Sequence, residues 1–263
     1  MYDLITSREN RRVKDYVKLA SSKRFREESG LFVLEGRKLL FEAIESGVDV
    51  CEVFAVEEQI KACEAMLHGR EIALHQVNGA VEEKMRQSQS PQGIYAVCRM
   101  LDKPSGFDTI NGDGRYLLLW DLQDPGNVGT ILRTADAMGI SGVIVSSGCC
   151  DLYNLKTIRA AMGALFHVPL FRTDAAVFLR DTADILPSYA AVVDRDAPSI
   201  LTHPIRRGIV VIGNEGNGLS EEQAACCQNR VTIPMPGRAE SLNAATAASL
   251  LLWELTKTNL EEL

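Results

Sequence analysis

The sequence contains no apolar run approaching the roughly 18 residues a membrane helix requires, so no membrane span is expected. It opens on Met1-Tyr-Asp-Leu followed by charges rather than an apolar leader, which predicts a cytoplasmic protein. Its four histidines are scattered without ligand spacing, and no Ser/His/Asp set stands out. The seven cysteines include two adjacent pairs, Cys149-Cys150 and Cys226-Cys227. Adjacent pairs suit neither a zinc site nor an easy disulfide, so no metal is expected and the thiols read as small hydrophobes in a reducing compartment. A net charge of −7 argues against indiscriminate nucleic-acid binding. The dinucleotide fingerprint G-x-G-x-x-G is also missing, which leaves a nicotinamide oxidoreductase a distant reading.

Two alternations of strand and helix are present. Residues 1–99 carry short apolar strands such as Leu31–Leu34 and Val50–Val56 between helical segments, and form a small α/β unit. Residues 100–115, with Lys-Pro-Ser-Gly and Asn-Gly-Asp-Gly, read as a linker. Residues 116–263 alternate buried-type strands with helices, which predicts a mostly parallel sheet covered on both faces. Charge is uneven along the chain. Residues 1–40 hold ten Lys/Arg against six Asp/Glu, a surplus of +4 that leaves −11 for the remainder. That basic segment reads as a solvated helix face or an RNA-contacting arm.

In open parallel sheets ligands sit beyond the carboxyl ends of the strands. After the strand at 117–122 comes Asp124-Pro-Gly-Asn-Val-Gly129, then Arg133 about one turn into a helix beginning near Thr130. Helix N–H groups, the Asn127 amide and an Arg fork would converge there, as at a phosphate site. After the strand at 209–213 comes Gly213-Asn-Glu-Gly-Asn-Gly-Leu219, with three glycines within six residues and one carboxylate, Glu215. The third block is Ile233-Pro-Met-Pro-Gly237, then Ser241-Leu-Asn243 and an Ala-rich helix to Leu255. Its prolines force a stiff loop off the sheet, and Ser241 and Asn243 are both good N-cap residues.

These three blocks, in this order, resemble the motifs of the SpoU (TrmH-like) RNA ribose 2′-O-methyltransferases. Tyr153-Asn-Leu-Lys-Thr-Ile-Arg-Ala-Ala-Met-Gly163 is also similar to the family, except that Leu155 stands where many members have proline. Phe32-Val-Leu-Glu-Gly36 and Pro91-Gln-Gly-Ile94 more weakly resemble its substrate-binding domain. The resemblance implies an α/β protein with a C-terminal trefoil knot, preceded by a small α/β substrate-binding domain. It implies S-adenosyl-L-methionine as cofactor, held by Gly213, Ile233, Met235 and Leu242, and catalytic positions at Asn127, Arg133, Glu215, Ser241 and Asn243. It further implies a homodimer with shared active sites and an RNA substrate, ribosomal rather than transfer RNA. A catalytically silent RNA-binding relative and a base methylase are the alternatives.

Overall fold

The computed structural model describes residues 3–101 and 110–260, so most of the expected linker, 102–109, lies outside the described residues. Main-chain proximity divides the chain into two units. The first takes in residues up to Leu101 together with Asp151–Phe166, and the second comprises the rest.

In the first unit β1 (Asp3–Ile5), α1 (Arg11–Ser21), α2 (Lys23–Ser29), β2 (Leu31–Glu35), α3 (Arg37–Glu45), β3 (Val50–Val56), α4 (Glu57–Leu67), β4 (Ala73–Val77), α5 (Gly79–Met85) and β5 (Ile94–Arg99) follow one another. The strands form a mixed sheet in the order β1-β4-β3-β5-β2. The pairs β1/β4 and β3/β4 are parallel, while β3/β5 and β2/β5 are antiparallel. Strand β1 was not legible in the pattern, being a three-residue edge with only Ile5 buried. Helix α1 seats Val13, Tyr16 and Leu19 on this sheet at helical spacing. The Tyr16 ring stands edge-on to Phe54 and Tyr95, and its hydroxyl donates to the Leu34 carbonyl at 3.1 Å.

The basic surplus of the N-terminal segment is largely met within the unit. Arg12 reaches Glu52 at 2.7 Å, Lys14 reaches Glu9 at 2.5 Å and Arg11 lies 3.7 Å from Asp15. Lys18 sits over the Phe25 ring. Exposed pairs of this kind are worth little, but RNA phosphates would compete with carboxylates for these cations rather than meet a bare patch.

The chain continues through β6 (Arg115–Leu119), α6 (Pro125–Ala137), β7 (Gly142–Ser146), α7 (Leu155–Ala161), α8 (Ala164–His167), β8 (Leu170–Thr173), α9 (Ala175–Asp181), β9 (Ser188–Ala191), β10 (Gly208–Ile212), α10 (Glu221–Ala225), β11 (Asn229–Val231) and α11 (Ala244–Leu260). Helix α7 packs on β2 of the first unit although sequence order sets it among the later elements. Arg26, almost fully buried, donates to the Asp151 carboxylate there, and Phe32 stacks on Tyr153 at 4.9 Å. Leu155 accounts for the missing proline. It occupies the first position of α7 behind the Asn154 cap, where proline is favoured for its fixed φ, and places a buried side chain in the first unit's core instead.

The second sheet is wholly parallel, in the order β11-β9-β10-β6-β7-β8. Its central strands read as continuous apolar runs because both faces are covered: every residue of β7 and β10 is buried. Helix α11 packs against α6, β6 and β10. The carboxyl ends of β6, β10 and β11 lie on the same side of this parallel sheet, with β9 between β10 and β11, and the three sequence blocks all leave the sheet there.

Candidate active site

The first block begins a helix earlier than its sequence suggests. Helix α6 starts at Pro125 rather than Thr130, with Asp124 as N-cap accepting from the Asn127 N–H at 2.8 Å. Proline at the first position costs no hydrogen bond and presets φ, so the Asp-Pro pair fixes the start. Asn127 consequently projects from the first turn, and Arg133 lies two turns inside rather than one.

Glu215 organises the mouth. Its Oε1 accepts from the Asp124 N–H at 2.9 Å and from the Asn127 side-chain amide at 3.2 Å, and its Oε2 accepts from the Gln123 N–H at 3.0 Å. Partial burial pushes this carboxyl's pKa up, but the donors from Gln123, Asp124, its own main chain and Asn127 outweigh that and hold it below the ordinary value. The start of α6 is thus occupied by the chain's own carboxylates, and the expectation of an open phosphate cradle at these N–H groups does not survive.

The third block joins the cluster through Asn243, whose amide donates to Asn127 Oδ1 at 3.0 Å while its own Oδ1 caps α11 by accepting from Ala245 N at 2.9 Å. Glu215, Asn127 and Asn243 therefore form one hydrogen-bonded chain across the three blocks. Arg133 and Ser241 are not part of it. Both are exposed, and neither makes a hydrogen bond or ion pair among the described residues. An Arg133–Glu215 pair, the plain structural role for that arginine, is not made within the chain.

Beside this cluster an apolar slot of ≈ 400 Å³, open mouth included, lies between the ends of β9 and β11. Ile233, Met235 and Leu242 line it together with Ala191, Val231 and Ala247. The main-chain N–H groups of Ile233, Met235 and Leu242 have no partner among the described residues, because Pro234 and Pro236 hold this loop off the ladder. Apolar walls under unpaired main-chain donors suit a flat heteroaromatic ring, which needs dry faces and an edge to hydrogen-bond.

Gly213 is not among the slot's lining residues, and its own loop requires the glycine. A Cβ there would run into the Gly218 carbonyl and the Leu219 nitrogen of the same loop, which is closed by Asn214–Gly218 main-chain bonds of 3.0 and 2.8 Å. A side chain would distort the loop that carries Glu215 before any ligand arrived. Gly213→Ala should therefore lower stability by about 1–3 kcal/mol, the usual cost of overpacking, measurable by denaturant unfolding. An unchanged unfolding midpoint would show that the loop gives way freely.

The residues 114–253 match the SpoU rRNA Methylase family. This chain belongs to that family. Residues 10–96 match the MRM3-like substrate binding domain. A 23S rRNA (guanosine(2553)-2'-O)-methyltransferase of Bacillus subtilis is 31% identical over 252 residues, covering 95% of this chain and 98% of that protein. The AdoMet-bound rRNA methyltransferase from Sinorhizobium meliloti superposes with a TM-score of 0.84 at 30% identity, over 98% of each chain. The SpoU methyltransferase AviRb from Streptomyces viridochromogenes, in complex with AdoMet, gives 0.83 at 25% identity, over 96% of this chain and 99% of that one. Of the residues holding this SpoU site together, Gln123 and Asp124 were not picked out from sequence as ligands of Glu215. The Asp-Pro helix start was the signal that could have found them.

Proposed function

We propose that this chain transfers a methyl group from S-adenosylmethionine to a ribose 2′-hydroxyl of ribosomal RNA, as a cytoplasmic homodimer whose C-terminal unit is tied in a trefoil knot. The reaction and the methyl donor follow from kinship with the rRNA 2′-O-methyltransferases and the AdoMet-bound structures above. The observation carrying the assignment to this site is the Glu215–Asn127–Asn243 chain beside the Ile233–Met235–Leu242 slot.

Bound in the slot, S-adenosylmethionine supplies a methyl carbon on a positively charged sulfonium. The protein must bring a ribose oxygen in line with it and accommodate one proton. Asn127 and Asn243 are held at fixed angles by Glu215 and the α11 cap, and with Ser241 orient the ribose. Arg133 clamps the adjoining phosphate and polarises the hydroxyl, while a phosphate oxygen or water takes the proton. No metal is assigned a part, and the first unit selects the RNA.

The knot is supported by topology. The chain leaves β11 at the sheet edge yet packs α11 against α6 and β6, with β9 and β10 lying between β11 and β6. On the way Thr232 is pinned to the 198–200 segment, accepting from the Ile200 N–H at 3.1 Å and donating to the Pro198 carbonyl at 2.9 Å.

The dimer is supported by α11, where the large apolar side chains of Leu250 and Trp253 remain 42% and 52% exposed. It is supported too by Arg133, which has no partner among the described residues. Trp253→Glu should give monomers in sedimentation velocity and lose activity, and an active monomer would remove the shared site.

The reaction itself is tested by mapping alkali-resistant linkages in ribosomal RNA from cells with and without the gene. One resistant linkage should disappear with the gene, and identical maps would overturn the assignment.

A further inference from the structure

A second recess of ≈ 860 Å³, open mouth included, lies beyond the carboxyl ends of β6 and β10 and is distinct from the apolar slot. Its walls are Asp121, Gln123, Asn214, Asn217, Ser220 and Gln223, with Gly148 at one side. No lysine or arginine lines it, so it is not built for phosphate, and no large apolar side chain lines it, so it is not built for an aliphatic group.

The walls are held in place by groups that leave particular atoms free. Asp121 sits at φ 58°, one of two non-glycine residues with positive φ among those described. Its N–H donates to Ser146 Oγ at 2.9 Å, that hydroxyl donates to Asp121 Oδ1 at 2.7 Å, and the Asn214 amide donates to the Asp121 carbonyl at 2.9 Å. The Gln123 amide donates to the Gly148 carbonyl, and a Cβ at Gly148 would run into the Asp121 carboxylate. Gln223 Oε1 accepts from the Ser220 N–H at 2.9 Å in the capping box, which commits its oxygen and leaves its Nε2 donors. The Asn217 amide and Asp121 Oδ2 have no partner among the described residues. The recess thus offers a carboxylate acceptor, an amide donor and an adaptable Asn amide, with no net cation. A nucleobase edge presents the complementary mixture.

The recess also adjoins the reacting groups, since Gln123 offers its main-chain N–H to Glu215 and Asn217 lies two residues beyond that carboxylate. Glu215 thus links this recess to Asn127, since it accepts from the Gln123 N–H on one oxygen and from the Asn127 amide on the other. We propose that this recess receives the base of the nucleotide being methylated and discriminates among bases through Asp121, Asn217 and Gln223. The proposal rests on the methyltransferase reading above.

The test uses the full-length enzyme, tritiated S-adenosylmethionine and transcripts of the mapped rRNA stretch carrying each of the four bases at the methylated position. The variant is Asn217→Ala with Gln223→Glu. Glutamate keeps the oxygen that the capping box needs and replaces the free donor with a charged acceptor facing the recess, so folding and cofactor affinity should match the wild type. The wild type should prefer one base, and the variant should lose about tenfold or more of that preference in kcat/KM, as when a polar pocket loses a base contact. Unchanged preference in an active variant would overturn the base recess alone. So would a loss confined to a neighbouring nucleotide. No tritium transfer to any transcript by the wild type would overturn the methyltransferase reading, and this proposal with it.

Discussion

Arg133→Lys is expected to fold, to bind S-adenosylmethionine normally and to lose roughly 100-fold or more in the rate of methyl transfer, comparable to a lost oxyanion-type donor. Arg133 is exposed, and no hydrogen bond or ion pair within the described chain depends on it, so its replacement should not disturb α6. Lysine keeps the positive charge but replaces a planar fork with a point charge, and therefore loses bidentate contact with a phosphate. A guanidinium stays protonated under ordinary conditions, so a role as free base would need a large local perturbation. A clamp that polarises the hydroxyl needs no such perturbation. Single-turnover rates at saturating RNA and cofactor check the prediction. Near-wild-type turnover in Arg133→Lys would sink the bidentate clamp, and near-wild-type turnover in Arg133→Ala would remove the residue from the mechanism.

The parts of this fold legible in sequence are those whose cause is local. The parallel second sheet follows from apolar runs such as those of β7 and β10, and the Ser220 capping box opens α10 as its spacing predicts. The earlier start of α6 was also local, but depended on weighing Asp124 and Pro125 as a cap and first turn rather than as a bend. What could not be read is non-local. Nothing in the segment around Tyr153 and Leu155 says that it packs with the first unit, because its partners Arg26 and Phe32 lie more than a hundred residues away. Gly213 shows the same limit at the site. The resemblance names Gly213 as a cofactor residue, and nothing beside it in sequence says that its Cα faces the Gly218 and Leu219 backbone of its own loop. Ile233, Met235 and Leu242 did meet in one slot, because prolines and a capped helix on either side leave that loop little freedom.

Glu215→Ala should produce the second large loss, about 100-fold or more in kcat/KM, through a different route from Arg133. Removing the carboxylate strips the Gln123 and Asp124 N–H groups and the Asn127 amide of their acceptor, freeing Asn127 and with it Asn243. Stability should fall by about 1–3 kcal/mol in total, since water reaches this half-buried site and replaces part of what is lost. Glu215→Gln should lie between the two. Its oxygen can still serve Asp124 and Asn127, but its NH₂ would then face the Gln123 N–H, donor against donor. The charge also carries a pH signature. The hydrogen bonds hold the folded carboxyl below its ordinary value despite partial burial, so the unfolded chain takes up this proton at a higher pH than the folded one. The resulting stabilisation is fully present above the unfolded carboxylate value of about 4.3 and is lost as pH falls through the lower folded value. Between pH 5 and 9 the carboxylate stays charged, which suits a positioning group and not a general base poised near neutrality. Thermal melting of wild type and Glu215→Gln should therefore differ by a constant margin from pH 7 down to about 5, narrowing below that. A margin that persists undiminished into strong acid would mean that shape, and not charge, is what Glu215 contributes.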